Sequence, residues 1–176
     1  MANIRLLVVL DKDLTASKKA DVMTALEKLD AEYGIGSEGK VSLTTELKTE
    51  ILAALPWEVY LQPNFYGLSR SWITQYAKSI RNEKEDSIDA IMFCIDGANW
   101  KDPEGAGVYG WNLGAFFGGY QIQLVRVGNT VESHFKTMAM ELAHALDNWY
   151  EWYYGKQIEP LFGVEDFDED LFHGHR

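Results

Sequence analysis

Two apolar runs constrain this chain more than anything else in it: "IRLLVVL" at positions 4–10 and "AIMFCI" at 90–95. Neither alternates with polar residues, and each stops abruptly at an aspartate, Asp11 and Asp96. Short continuous apolar runs of this kind read as buried strands, the sort found where both faces of a sheet are covered. Cys94 lies inside the second run and is the single cysteine of the chain. It reads as a buried free thiol, and no disulfide can form within the chain.

The segments around these strands supply helices. After Thr15, a suitable N-cap, Ala20, Met23, Leu26 and Leu29 recur at helical spacing, and the helix is expected to stop at Gly34. "VSLTTELKTEILAAL" reads as a strand start over 41–43 and then a helical turn ended by Pro56. "WEVYLQP" alternates as a strand closed by Pro63 and Asn64. Leu68, Trp72, Ile73, Tyr76 and Ile80 share one face of a helix opening at Ser69 or Ser71. Seven glycines among aromatic residues between Gly97 and Gly119 suit turns and an irregular exposed β segment. "GYQIQLVRVGN" is a strand in which Tyr120, Ile122 and Leu124 alternate with Gln121 and Gln123. The longest helix is expected over 130–154, with Asn129 as N-cap, Glu132 at the third position, and Phe135, Met138, Leu142 and Trp149 packed inward. The expected order is β-α-β-α-β-α-β-β-α, a single α/β or α+β domain. Its bounds are 1–155, with an acidic C-terminal tail over 156–176.

Composition narrows the partners. A chain of 176 residues that is 47% apolar can bury a substantial core. A formal charge of −11 argues against nucleic acid, which demands clustered Lys and Arg. No stretch approaches the roughly 20 apolar residues needed to cross a membrane. The apolar run at the N-terminus is too short for a signal peptide, so a cytoplasmic location, or delivery without such a leader, is expected. With six Trp and nine Tyr, a peptide or protein partner, a homo-oligomer or an assembly role is a natural expectation.

The chemistry-bearing stretch is "MAMELAHALDNW", positions 138–149. On a helix, residues 140 and 144 stand one turn apart on the same face, with Glu141 beside them. Replacing Met140 by His would create His-Glu-x-x-His, in which two imidazoles hold zinc and the glutamate serves a metal-bound water as general base. Taken residue by residue, the plainer readings are a packed helix methionine, a hydrogen-bonded histidine and a cleft or surface glutamate.

The order of parts resembles the zincin superfamily of metallopeptidases, most nearly its metzincin-like branch. The resemblance covers roughly residues 88–154: the strand "DAIMFCID", the Gly/aromatic segment "GVYGWNLGAFFGGYQIQLVRV", then "TMAMELAHALDNWY". It implies a zincin-like fold with a mixed sheet and an edge strand before a long active-site-type helix. It also implies Glu141 as catalytic base and His144 as a metal ligand, with Met140 in place of the first histidine. Metzincins carry a glycine and a third ligand where this chain has Asp147 and Tyr150. The gluzincin pattern would use a later glutamate, for which Glu165 is available. In the tail, His173 and His175 are further candidate ligands beside Asp166, Asp168, Glu169 and Asp170. A thioether is a soft donor suited to Cu(I), so zinc is expected to bind weakly or not at all.

The implied function is a metallopeptidase-related protein with a degenerate zinc site, catalytically impaired and acting in binding or assembly. Two alternatives stay open: an active metallopeptidase with unusual ligands, and a structural or interaction subunit of a larger particle. The glycine-rich segments match no phosphate loop, Cys94 has no evident His partner, and "DFDED" lacks the spacing of a calcium loop.

Overall fold

The computed structural model describes residues 2–36, 39, 41–60, 65–84, 88–101, 110–115, 121–128 and 130–154, and of 2, 59–60, 65–67, 70, 81–82, 84, 111–115, 121 and 144–154 the backbone alone. The two apolar runs lie side by side at the heart of a five-stranded sheet. β1 (Ala2–Asp11) pairs in parallel with β5 (Ala90–Asp96), with Val8 opposite Met92. β2 (Val41–Glu50) flanks β1, also in parallel, while β7 (Gln121–Val127) runs parallel to β5. β6 (Gly110–Ala115) closes the far edge antiparallel to β7, with a register shift between Asn112 and Gly114. The strand order is β2-β1-β5-β7-β6. A separate antiparallel hairpin is made by β3 (Trp57–Tyr60) and β4 (Phe65–Leu68).

Period-2 alternation sends the side chains of β1 and β5 to opposite faces, and both faces are covered. On one, Leu6, Val8, Met92 and Cys94 pack with Val125, Val127 and two helices, α1 (Ala16–Gly36) and α3 (Val131–Tyr154). On the other, Leu7, Val9, Ile91, Phe93 and Ile95 pack with Ile73, Ala77 and Ile80 of α2 (Arg70–Lys84). That is why neither run alternates, and why Cys94 is buried with its thiol pKa pushed up to about 12 by desolvation. At its start, β5 is pinned to β1 by Arg5, whose guanidinium grips Asp89 at 2.6 and 2.9 Å. That pair is half-exposed, so its worth is about 1 kcal/mol at most.

Several local expectations change. β2 is a strand along its whole length, not a strand start followed by a helical turn, because ten consecutive residues find register on β1. β4 is an additional strand, and Leu68 ends it, buried before the helix rather than on its face. Ala20 is exposed; the inward stripe of α1 is Val22, Ala25, Leu26, Leu29 and Tyr33, and the helix runs on to Gly36. Thr15 does cap α1, accepting from the Lys18 N–H at 3.3 Å. Thr130 caps α3, accepting from the Ser133 N–H at 3.2 Å, while Asn129 lies outside the described residues. Glu132 thus takes the second helical position, where it reaches Lys28 of α1 at 2.5 Å and Lys28 sits over the Phe135 ring. The tail over 156–176, with Glu165, His173 and His175, also lies outside the described residues. None of the described helices is long and apolar enough to cross a membrane.

Phe93 is fully buried where Trp72 and Tyr76 of α2 meet β5, at ring distances of 5.7 and 5.1 Å. Phe93→Ala removes this contact between helix and sheet. Urea denaturation should show a loss of about 3–5 kcal/mol, and a loss below about 1 kcal/mol would mean that α2 does not depend on this packing.

Candidate functional site

α3 runs unbroken through "MAMELAHAL", its inner stripe being Phe135, Met138, Ala139 and Leu142. This stripe docks on the sheet beneath β7 and the edge strand β6. Thr137 and Glu141, one turn apart, then face the start of β6 at Gly110. The approach there is close. A Cβ on Gly110 would lie 2.4 Å from Thr137 Cγ2 and 2.7 Å from Glu141 Oε1, so only glycine fits. Glu141 is consequently buried, 3% exposed, beneath the edge strand. Met140 beside it is half-buried.

Two further groups hold this part of the helix. The Tyr33 hydroxyl of α1 donates to the Ala139 carbonyl at 3.3 Å, just before Met140 and Glu141. Burial raises the Tyr33 pKa well above its ordinary value, so it stays a donor. At the helix start, buried His134 accepts the Gly128 N–H on Nε2 at 3.2 Å, which ties the β7–α3 turn to the first helical turn. Desolvation, with Lys18 acting in the same direction and Asp21 against it, lowers the His134 pKa and favours the neutral ring.

On the sheet side, Gln123 shares a face with Val125, the cross-strand partner of Gly110. Although it alternates with apolar Ile122 and Leu124, Gln123 is fully buried, because α3 covers that face, and its amide has no hydrogen-bond partner among the described residues.

His144 lies in α3 one turn beyond Met140, and Tyr150 lies farther along the same helix; their side chains fall outside the described residues. The structure therefore packs Glu141 beneath β6, with half-buried Met140 next to it in the helix and the backbone of His144 one turn beyond Met140. Among the described residues, no three His, Cys, Asp or Glu side chains stand together as a metal site. As a donor set for zinc, a soft thioether and a carboxylate packed under a strand fit poorly.

A second polar cluster sits at the carboxyl ends of β1 and β5, where the strand order reverses. Asp11 accepts from the Asp96 and Asp13 N–H groups and from Asn99 Nδ2, while Asp96 pairs with Lys18 at 2.7 Å and accepts the Ala98 N–H. Burial would raise the Asp96 pKa, but Lys18 and the Ala98 N–H outweigh it and hold the carboxyl below its usual range. Here Asp96 serves as a clasp between strand ends and α1.

Met140, Glu141 and His144 are legible in the sequence, whereas Gly110, Thr137, Tyr33 and His134 are not. A glycine-rich stretch signals close backbone approach somewhere, yet nothing in it says which glycine meets the helix.

Gly110→Ala should cost about 1–3 kcal/mol in urea denaturation, because Thr137 is β-branched and cannot swing aside freely. In a Thr137→Ser background the same substitution should cost at least about 0.5 kcal/mol less. Additive losses would place the strain elsewhere. His134 gives a pH test. Its folded pKa lies below the unfolded value near 6.5, so its contribution is intact above about pH 6.5 and is lost as pH falls below that. His134→Gln should therefore flatten the stability profile between about pH 7 and 5, and an unchanged slope would count against the buried neutral ring.

No family model matches the sequence, and no curated protein does either. Among solved structures, metalloproteinase-II from Bacteroides fragilis is similar, with a TM-score of 0.53 and 16% identity, over 82% of this chain and 42% of that one. The chain thus spans less than half of that protein's length. At such identity the likeness concerns the fold: this chain has a metallopeptidase-like α/β fold.

Proposed function

We propose that this chain is a metallopeptidase-related protein whose zinc site has degenerated, leaving catalysis impaired and the domain acting in binding or assembly. The likeness of fold to a metalloproteinase supports the first part. The observation that carries the second is the pair Met140–Glu141 on α3. The first ligand position holds a thioether, and the carboxylate at the general-base position is packed beneath Gly110. A general base must reach a water and a substrate. Here the approach of β6 to the helix takes up the space beside it. Assignment of Glu141 to a base and His144 to a ligand belongs to this reading, as do Tyr150, Glu165, His173 and His175 as further donors.

The test is calorimetric zinc titration of the wild type and Met140→His. Because Met140 is half-buried, an imidazole there should cost about 1 kcal/mol of stability or less. It should nevertheless tighten zinc binding about 100-fold, since one ligand of a four-ligand site is worth about 3 kcal/mol. Glu141→Gln in that background should keep the metal and remove any hydrolysis gained. Equal, weak binding by wild type and Met140→His would mean that this helix face never belonged to a metal site. Stoichiometric zinc in the purified wild type after dialysis against a weak chelator would reject impairment and favour an active metalloenzyme.

A further inference from the structure

Beyond the cleft, the opposite edge of the sheet holds a second surface. β2 is an edge strand of ten residues, and no described strand lies beyond it. Two of the three most exposed large apolar side chains among the described residues are Leu47 on β2 and Ile51 just after it, at 46% and 67%. Long free edges carrying apolar residues are templates for pairing with another chain.

The direction of the backbone groups fixes which residues can pair. The Glu50 carbonyl accepts from Lys12 N–H of the β1 side at 2.7 Å, so even-numbered peptide groups of β2 turn inward. The Leu43 N–H donates outward to the Asp30 carboxylate at 2.8 Å, which caps that end of the edge. By alternation, Thr45, Leu47 and Thr49 present their N–H and C=O groups outward.

We propose that this edge is a homodimer interface in which two copies of β2 pair antiparallel about a two-fold axis at Leu47, joining their sheets into one. In that register Leu47 meets Leu47 of the second copy, Thr45 meets Thr49, and Leu43 lies beside Ile51. Roughly six main-chain hydrogen bonds form. Glu46 then stands opposite Lys48 of the second copy, twice, as a close non-hydrogen-bonded pair. Every neighbouring register is worse. An axis at Glu46 sets that carboxylate against its own copy. One at Lys48 opposes two lysines and sets Glu46 against Glu50. An axis at Thr45 needs the Leu43 N–H that Asp30 already takes, and one at Thr49 runs off the strand end at Glu50. Lys48 also touches Glu50 and Glu83 of its own chain, at 3.1 and 3.6 Å, so a further carboxylate adds little attraction. The selection of register comes from repulsion in the alternatives. The proposal does not depend on the zinc reading.

An edge contact of this length lies below the usual interface of about 1,600 Å², so a Kd of about 10–100 µM is expected. Sedimentation equilibrium of the full chain over about 5–500 µM reads it. Glu46→Lys and Lys48→Glu should each weaken self-association at least about tenfold. Mixing the two variants in equal amounts should restore wild-type affinity, because each like-charged edge then meets its opposite. Leu47→Lys, at an exposed position independent of the Lys48 contacts, should also give monomers, with far-UV circular dichroism checking that each variant is folded. A wild type that stays monomeric to about 500 µM would overturn the proposal and leave the edge to a strand from another protein. So would a dimer indifferent to all three substitutions, or a failure of the mixture to recover association.

Discussion

Everything in this molecule hangs on the burial of β1 and β5 from both sides. Two adjacent parallel strands made almost wholly of Leu, Val, Ile, Met and Phe cannot leave either face to water at about 25 cal/mol per Å². The chain must therefore lay α1 and α3 on one face and α2 on the other. Parallel pairing also forces long crossovers, which is where α1 and α2 come from, while α3 follows the last strand, β7. Once α1 and α3 share a face they must pack on each other, and Tyr33, Lys28 and Phe135 are the contacts that do it.

The same constraint sets the character of the candidate site. α3 is pressed onto the sheet by its inner stripe, so its flank at Thr137 and Glu141 is carried against whatever edge strand lies there. That strand is β6, and it begins with a glycine because nothing larger fits. A glutamate held in this way has its rotamers restricted by packing and little room beside it, which suits a structural carboxylate better than a base that must reach water. In the proposed reading the neighbouring position argues the same way, because the chain offers sulfur there in place of imidazole.

The two edges of the sheet are managed differently. At β6 the edge bends through a register shift and is backed by α3. At β2 the strand is regular throughout, is protected at Leu43 by Asp30, and carries alternating Glu46, Lys48 and Glu50 on one face. Charges on an edge usually keep chains apart. Here their spacing also admits one self-complementary register, which makes the edge selective.

The sequence by itself determined the two central strands, the three helices and the strand before the last helix. In each, the apolar period or run is a local property that survives whatever surrounds it. Likewise Glu141 and His144 were legible from i, i+3 and i+4 spacing on a helix. Only the tertiary structure decided the rest. β2 is a full strand because β1 offers a partner for all ten residues, which overrides the helical preference of "TELKTEILAAL". Gln123 is interior because α3 covers its face, a fact that strand alternation cannot report. Gly110 matters because a helix distant in sequence arrives within a methyl's radius of it. Such distances between elements are set by packing of the whole core, and no window of sequence contains them.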